Sequence, residues 1–314
     1  MSRSVLRLGT RKSPMAMTQS ETVAGLIRER AGVPVELVGL TSFGDVSQAQ
    51  LTQIGGTGVF VSALRNCLLA GDVDLAVHSL KDLPTAAVPG IALAAVPPRG
   101  DPRDALVARD GAKLADLSTG ALIGTGSPRR AAQLRLMRAD IRPVPVRGNA
   151  GTRLAKVTSG ELDAVVLARA GLERIGHLDL ITEVFEPDEM VPAPGQGALA
   201  VECPDTDPGL VELLARVDDP DSRAAATAER AVLAELQAGC HAPVGAYAVA
   251  TDILRLTAVV IPDDGAPPVS ASAAAPAGEA ARIGREVARE LLRRGAGRYV
   301  AGTAAHTSNG DDAQ

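Results

Sequence analysis

Two arginines at a predicted helix start are the most informative chemical feature of the sequence. Residues 121–127 have the pattern of a short strand and a turn of small residues, and Pro128 is typical of a first helical position. Arg129 and Arg130 then place two positive charges where the helix dipole disfavours cations. Free N–H groups at such a terminus bind anions, and guanidinium groups match carboxylates in bidentate fashion. A carboxylate ligand would offset the unfavourable charge, and the alternative is ordinary surface ion pairs.

The same pattern follows two other predicted strands. Arg147 and Arg153 flank a glycine-containing turn after the strand predicted at residues 143–147, and Arg11 and Ser13 follow the first predicted strand. In open α/β sheets, ligands bind outside the carboxyl ends of the strands. Three such turns with arginine therefore predict a ligand that carries several carboxylates or phosphates.

An aspartate follows a further predicted strand. Lys81 and Asp82 come after the short apolar run 75–77, and Asp82 would be the only carboxylate near a basic cleft. That placement suits electrostatic stabilisation of a transient cation, or proton transfer. The alternative is an aspartate that caps the turn before Pro84.

A cysteine in a loop is the candidate nucleophile. Cys240 follows the C-terminus of a predicted helix and is expected to be exposed, although a helix C-terminus raises the pKa of a thiol. A buried, inert thiol is the alternative, and it suits Cys67 and Cys203 better. His241 is a possible base, and the histidines of the chain show no spacing typical of a metal site.

Composition narrows the class of ligand and the compartment. The chain has 314 residues, a formal net charge of −5 and 2% aromatic residues, which argues against nucleic-acid binding. Residues 120–175 nevertheless hold ten Arg or Lys and four Asp or Glu, which indicates a local anion site. Three cysteines make no disulfide framework, and neither a secretory signal nor an apolar membrane span is visible. A cytoplasmic protein is expected.

The elements predict two α/β units and a third, smaller α+β unit. Strands and helices alternate up to the Pro/Gly-rich stretch at residues 97–102 and again beyond it, which predicts mostly parallel sheets with helices on both faces. We predict domain 1 at residues 1–98 with 198–217, domain 2 at 99–197 and domain 3 at 218–302. The prediction places a helix at Asp221–Gln237 with Gly239 as its stop, a loop at residues 262–277 and a disordered tail at residues 303–314.

Seven short motifs in a fixed order connect these features. They are Leu8-Gly9-Thr10-Arg11-Lys12-Ser13-Pro14, Ile54-Gly55-Gly56-Thr57-Gly58-Val59-Phe60, Ala76-Val77-His78-Ser79-Leu80-Lys81-Asp82, Asp101-Pro102-Arg103-Asp104-Ala105, residues 147–154, Gly195-Gln196-Gly197-Ala198 and Gly239-Cys240. Each motif alone is weak. As an ordered set over residues 5–300 they resemble the hydroxymethylbilane synthase family, also called porphobilinogen deaminases.

The resemblance implies a fold and a reaction. The fold would be two hinged, doubly wound α/β domains like the halves of a periplasmic binding protein, with a small α+β C-terminal domain. The reaction would join four porphobilinogen molecules head to tail with loss of ammonia and release the linear tetrapyrrole hydroxymethylbilane by hydrolysis, a step of haem biosynthesis. The primer would be a dipyrromethane cofactor held by a thioether at Cys240, with no metal or nucleotide, in a monomer.

The resemblance also implies roles for individual residues. Asp82 matches the catalytic aspartate of the family. The positions that match cofactor-binding or substrate-binding residues are Arg11, Ser13, Ser79, Lys81, Thr125, Ser127, Arg129, Arg130, Arg147, Arg153, Arg174 and Gln196. The loop Ser42–Phe60, a predicted lid, differs from several relatives by carrying Gln53 and Thr57 in place of lysines. The competing hypothesis is a carboxylate-binding protein or regulator without chemistry, built on the same two-domain plan.

Overall fold

The structure is a computed structural model that describes residues 4–40, 56–239 and 242–300, with the side chains of 56–60 excepted. Four predictions therefore lie wholly or mostly outside the described residues. They concern Cys240, His241, the predicted lid Ser42–Phe60 and the predicted tail 303–314.

The described elements follow one another in mixed α/β order. The strands are β1 (Leu6–Arg11), β2 (Val35–Leu40), β3 (Leu75–Ser79), β4 (Ile91–Ala95), β5 (Asp104–Ala108), β6 (Leu122–Thr125), β7 (Arg142–Pro145), β8 (Ala164–Ala168), β9 (Glu183–Phe185), β10 (Leu199–Pro204), β11 (Val244–Ala250), β12 (Leu254–Val260) and β13 (Val269–Ala275). The helices are α1 (Pro14–Ala31), α2 (Gly56–Ala70), α3 (Pro128–Met137), α4 (Ala150–Thr158), α5 (Arg169–Arg174), α6 (Pro208–Leu214), α7 (Pro220–Glu235), α8 (Ala280–Arg293) and α9 (Gly297–Val300).

The first compact unit contains residues 4–99 and 198–223 of the described chain. Its sheet has the order β2-β1-β3-β10-β4, in which β1 is parallel to β2 and β3. β10 is antiparallel to both of its neighbours, so the prediction of a mostly parallel sheet holds only for the first three strands. The chain reaches β10 from residues outside this unit, and no crossover helix within the unit sets its direction.

The second unit, residues 100–197 and 224–300 of the described chain, repeats this arrangement in its larger sheet. The order is β7-β6-β8-β5-β9, with β6 parallel to β7 and β8, and β5 antiparallel to β8 and β9. Leu106, Ile123, Leu134 and Val166 are almost fully buried and form one face of its core. Each sheet therefore brings the ends of three parallel strands to one edge.

A smaller antiparallel sheet completes the second unit. β11, β12 and β13 pair in sequence order, and α7 and α8 cover them through a core that includes Val232, Leu256 and Ile283. The prediction of a loop at residues 262–277 is confirmed for residues 262–268 and wrong for Val269–Ala275, which form β13. Alanine and serine have low strand propensity, and pairing with β12 decides the conformation instead. The predicted fold class is confirmed, while the division into three domains stays a prediction.

Local capping signals set the starts of several helices. Ser13 caps α1 by accepting a hydrogen bond from the N–H of Ala16, with Pro14 at the first helical position, as predicted. The helix predicted at Asp221–Gln237 is observed as α7, which begins one residue earlier at Pro220 and ends two residues earlier at Glu235. The stop is not Gly239, because Gln237 already adopts the left-handed conformation with φ 52°. The N–H of Ala238 returns to the carbonyl of Leu233, a C-terminal motif usually closed by glycine. None of the described helices has the length and apolar character needed to cross a membrane.

Candidate active site

In the first unit, the predicted site residues lie at the carboxyl ends of two neighbouring parallel strands. Arg11 is the last residue of β1, and Ser79 is the last residue of β3. Ser13 follows as the cap of α1, and the same helix presents Gln19, whose Nε2 donates to Oγ of Ser79 at 2.8 Å. The fold therefore brings Arg11, Ser13 and Ser79 to one edge of the sheet, as the strand order predicts.

Lys81 and Asp82 lie one short turn beyond that edge. β3 extends two residues further than predicted, and both side chains belong to a 3-10 turn over Leu80–Asp82. Leu80 is fully buried, its N–H donates to the carbonyl of Ala198, and its carbonyl accepts the N–H of Leu83. This anchoring leaves Lys81 and Asp82 half-buried beside a rigid strand end.

A buried ionic cluster supports the same strand from within the unit. Glu202 on β10 accepts two hydrogen bonds from the guanidinium of Arg65, at 3.0 and 2.7 Å. The Nε2 atom of His78 lies 3.1 Å from Oε2 of Glu202, but at an angle that makes no hydrogen bond by geometric criteria. Burial by itself raises the pKa of Glu202, yet His78 and Arg65 together lower it to about 2. Sequence reasoning missed this cluster, whose only local signal is a glutamate inside an apolar strand.

In the second unit, small polar side chains shape the turn before α3. Thr125 ends β6, and its Oγ1 accepts the N–H of Ser127 at 3.2 Å. Ser127 caps α3 by accepting the N–H of Arg130 at 3.4 Å, which confirms the predicted helix start at Pro128. Two of the N–H groups at this turn are thus already bonded within the chain, so an anion there would depend on side-chain donors.

Arg129 and Arg130 point inward and share one carboxylate. Arg129 is 2% exposed, Arg130 is 6% exposed and Asp104 is 0% exposed. Nη2 of Arg129 lies 2.7 Å from Oδ2 of Asp104, and Nε of Arg130 lies 2.9 Å from Oδ1. The arginines also donate to the carbonyls of Val191 and Val166. The ion pairs considered as the alternative do form, but they are buried rather than exposed.

Sequence reasoning missed Asp104, the centre of this cluster, so the expectation that Asp82 would be the only carboxylate near the basic residues is wrong. Burial by itself raises the pKa of the Asp104 carboxyl, but the attraction of Arg129 and Arg130 outweighs burial and lowers the pKa to about 2. Burial lowers the pKa of Arg129, which Asp104 opposes, and an arginine remains charged at neutral pH in either case. Nε of Arg129 is buried without a hydrogen-bond partner. Asp104 therefore remains ionised between two cations.

The other predicted residues of this unit differ in how closely they contact the Asp104 cluster. Gln196 is fully buried and donates from Nε2 to Oδ1 of Asp104 at 2.8 Å. Nε of Arg153 donates to the carbonyl of Gly148, and burial, followed by repulsion from Arg130, lowers the pKa of Arg153. A Cβ added at Gly126 would lie 3.7 Å from Nη2 of Arg153, so this side chain reaches the turn before α3, and among the described residues it has no carboxylate partner.

Arg174 and Arg147 complete the predicted set. Nη2 of Arg174 donates to the carbonyl of Gly197 at 2.6 Å, and burial lowers the pKa of its guanidinium. Arg147 is exposed after β7, and within the described chain it makes no ion pair or hydrogen bond. The structure thus joins Arg129, Arg130 and Gln196 directly through Asp104 and fixes Arg153 and Arg174 by main-chain hydrogen bonds, whereas Arg147 makes neither kind of contact within the described chain.

The charges of this cluster fit an acidic ligand. Arg129 and Arg130 are buried, Arg153 is half-buried at the turn before α3, and Asp104 is the one carboxylate paired with any of the three among the residues described. Uncompensated charge in a buried site is costly, and a carboxylate ligand would reduce that cost. A dipyrromethane with acetate and propionate side chains has the chemistry that these donors match.

Comparisons with known proteins found one similar solved structure and two curated relatives of note. A periplasmic substrate-binding protein of an ABC transporter from Coxiella burnetii is 16% identical with a TM-score of 0.43, covering 69% of this chain and 94% of that one. The porphobilinogen deaminase of Thermobifida fusca is 59% identical over 97% of this chain and 98% of its own length. That of Mycobacterium tuberculosis is 51% identical over 93% and 97%.

Two family models together match most of the sequence. Residues 6–212 match "Porphobilinogen deaminase, dipyromethane cofactor binding domain", and residues 223–293 match "Porphobilinogen deaminase, C-terminal domain". The arginine-rich turns and the strand-end aspartate described above all fall within the first match. The chain therefore belongs to the porphobilinogen deaminase family, also known as the hydroxymethylbilane synthases.

Proposed function

We propose that this chain is a transferase that condenses four porphobilinogen molecules head to tail, releases ammonia at each addition and frees hydroxymethylbilane by hydrolysis. The observation that carries this proposal is the buried pair Arg129 and Arg130, fixed on the single carboxylate of Asp104, with the half-buried Arg153 at the turn before α3. Each porphobilinogen brings an acetate and a propionate, so a growing chain needs such an excess of positive charge.

The arginines assigned to carboxylate binding are held in place by two kinds of partner. Arg129 and Arg130 are fixed in place by Asp104, and Arg153 and Arg174 are fixed by main-chain carbonyls. Fixed guanidinium groups bind a carboxylate with little further loss of side-chain entropy. When bound, the dipyrromethane supplies the pyrrole carbon to which the first substrate unit is joined. We assign its thioether attachment to Cys240, on the family resemblance.

In this proposal Asp82 stabilises the positive charge that develops during the reaction. Ammonia leaves the substrate with the electron pair of the broken C–N bond, so positive charge develops on the pyrrole nitrogen. A half-buried carboxylate held beside a rigid strand end stabilises that charge without having to reorganise. Lys81, Ser79, Arg11 and Ser13 lie at the same sheet edge and are assigned to substrate and cofactor binding.

The proposal also covers the compartment, the oligomeric state and the domain limits of the chain. We infer a cytoplasmic monomer, because three sparse cysteines suit a reducing compartment and the family resemblance implies a single-chain enzyme. Domain 1 would be residues 1–98 with 198–217, domain 2 residues 99–197 and domain 3 residues 218–302. Light scattering of the purified protein should give the mass of one chain, 32.1 kDa plus cofactor, and a mass of two chains would contradict the monomer.

A turnover assay separates this function from a binding protein without chemistry. The purified chain is incubated with porphobilinogen, and ammonia and linear tetrapyrrole are measured together. The proposal predicts four ammonia molecules for each tetrapyrrole, and no turnover by Cys240→Ser. Binding of porphobilinogen without release of ammonia would instead favour the competing hypothesis of a carboxylate-binding protein.

Replacing Arg147 tests carboxylate binding without a large change in the stability of the protein. Because Arg147 is exposed and unbonded within the described chain, Arg147→Leu should change the free energy of unfolding by less than about 0.5 kcal/mol. Loss of one carboxylate contact should still raise KM about tenfold or lower the rate of elongation about tenfold.

Arg142 provides the matched control, since it is an exposed arginine at the start of β7, at the opposite end of the strand that precedes Arg147. Arg142→Leu should leave kcat, KM and the distribution of enzyme-bound intermediates unchanged. Equal kinetics for both variants would remove Arg147 from the binding set.

A further inference from the structure

A fully buried glutamate binds two distant main-chain groups. Glu229 on α7 is 0% exposed. Its Oε2 accepts the N–H of Gly195 at 2.6 Å, and its Oε1 accepts the N–H of Ala248 at 2.8 Å. Burying a carboxylate is costly unless both oxygens are bonded, so these contacts fix both partners firmly.

The first partner, Gly195, belongs to a segment that holds predicted site arginines. We call residues 191–197 the linking segment. Three of its groups accept hydrogen bonds from arginines: the carbonyl of Val191 from Arg129 at 2.5 Å, Oε1 of Gln196 from Arg130 at 3.4 Å and the carbonyl of Gly197 from Arg174 at 2.6 Å. A shift of the linking segment would therefore move acceptors of three arginines at once.

The second partner, Ala248, lies on the strand that follows the loop containing Cys240. β11 touches the linking segment directly as well, because the N–H of Ala246 donates to the carbonyl of Pro192 at 3.0 Å. At Gly245 the approach is so close that an added Cβ would lie 2.9 Å from the carbonyl oxygen of Val191. That oxygen is the one that Arg129 binds. The register of β11 and the position of the arginines are thus mechanically connected.

We propose that Glu229 is a positioning residue for elongation, an inference that rests on the function proposed above. Its carboxylate holds the strand after the cofactor-bearing loop in register with the linking segment that orients Arg129, Arg130 and Arg174. The cofactor would be covalently attached on one side of this connection while its carboxylates are bound on the other. A misplacement of about 1 Å between attachment point and binding groups can cost two orders of magnitude in rate.

Glu229→Gln tests the proposal with nearly unchanged side-chain volume. The amide keeps one acceptor oxygen but turns a donor toward the other main-chain N–H, so one of the two connections is lost. Asp74→Asn is the matched control, because Asp74 is also buried and accepts a main-chain N–H, that of Arg7 at 2.7 Å, but it lies in the first unit. For both variants, intact mass, kcat, KM and the distribution of enzyme-bound intermediates are measured below the unfolding temperature.

The proposal predicts that both variants carry the cofactor mass. Glu229→Gln should then lose about tenfold or more in kcat and accumulate stalled intermediates, while Asp74→Asn stays within about twofold of the wild type. Loss of stability alone would lower the folded fraction without altering the distribution of intermediates. A kcat and a distribution for Glu229→Gln equal to those of Asp74→Asn would overturn the proposal, as would loss of the cofactor mass in Glu229→Gln alone.

A second variant covers the case in which Glu229→Gln does not fold. Gly245→Ala leaves Glu229 intact and pushes β11 away from Val191, so it should stall elongation in the same way. Wild-type elongation by folded Gly245→Ala would contradict the proposed connection. A wild-type protein that lacks the cofactor mass would instead contradict the function proposed for the chain, so the two failures are distinguishable.

Discussion

Asp82→Asn is expected to abolish condensation while the cofactor mass and the fold remain intact. The amide has nearly the same shape as the carboxylate, and the buried Leu80 still anchors the turn, so the effect should be on charge alone. We expect kcat to fall by more than about tenfold, equivalent to more than about 1.4 kcal/mol of transition-state stabilisation. Steady-state kinetics, intact mass and circular dichroism of the same preparation measure the three parts of this prediction.

Asp72→Asn is the control for Asp82→Asn. It removes an exposed carboxylate from the turn between α2 and β3, whereas Asp82 follows β3. That variant should retain the kinetics of the wild type. If Asp82→Asn keeps more than a tenth of the wild-type kcat, the aspartate does not carry the charge stabilisation assigned to it.

Asp104→Asn is expected to cause a large loss of stability. The substitution leaves Arg129 and Arg130 buried beside a neutral amide, and removal of one partner from a buried ion pair costs about 3 to 5 kcal/mol. Denaturant unfolding at neutral pH measures the loss. Asp140→Asn is the control, since it breaks an exposed ion pair with Arg138 and should cost far less. A similar small loss for both variants would show that Asp104 is not the counter-ion of the cluster.

The difference in unfolding free energy between the wild type and Asp104→Asn should become smaller at low pH. The pKa of Asp104 is lowered from 3.8 to about 2 on folding, so its contribution to stability is complete above about pH 4 and is lost as the pH falls toward 2. The gap in unfolding free energy between the wild type and Asp104→Asn should therefore be constant from about pH 6 to 4 and narrow below it. A gap that stays constant down to pH 2 would contradict the lowered pKa.

Local sequence signals predicted the parts of the fold that depend on near neighbours. Ser13-Pro14 and Ser127-Pro128 begin helices as expected, because a cap and a fixed proline φ act within one turn. The order of strand, helix and strand likewise predicted the parallel strands β1, β2 and β3 of the first unit. That order also placed Arg11 and Ser13 after the first strand, whereas Ser79 was named as a site residue only through the family resemblance.

The parts that the sequence did not predict depend on distant partners. β10 and β5 are antiparallel because of where the chain enters each sheet, and β13 forms because β12 is beside it. Arg129 was expected to face a ligand, but its partner Asp104 lies 25 residues earlier in a short apolar strand. Glu229 showed no local signal, since its two bonds span 34 and 19 residues.

The intact mass of the purified protein tests most directly whether the reaction takes place on a primer joined to Cys240. The account predicts that the wild type exceeds its sequence mass by two pyrrole units and that Cys240→Ser matches its sequence mass. Cys67→Ser is the control and should keep the added mass, because burial raises the pKa of the Cys67 thiol and makes it a poor nucleophile. A fully active wild-type protein of unmodified mass would contradict the account.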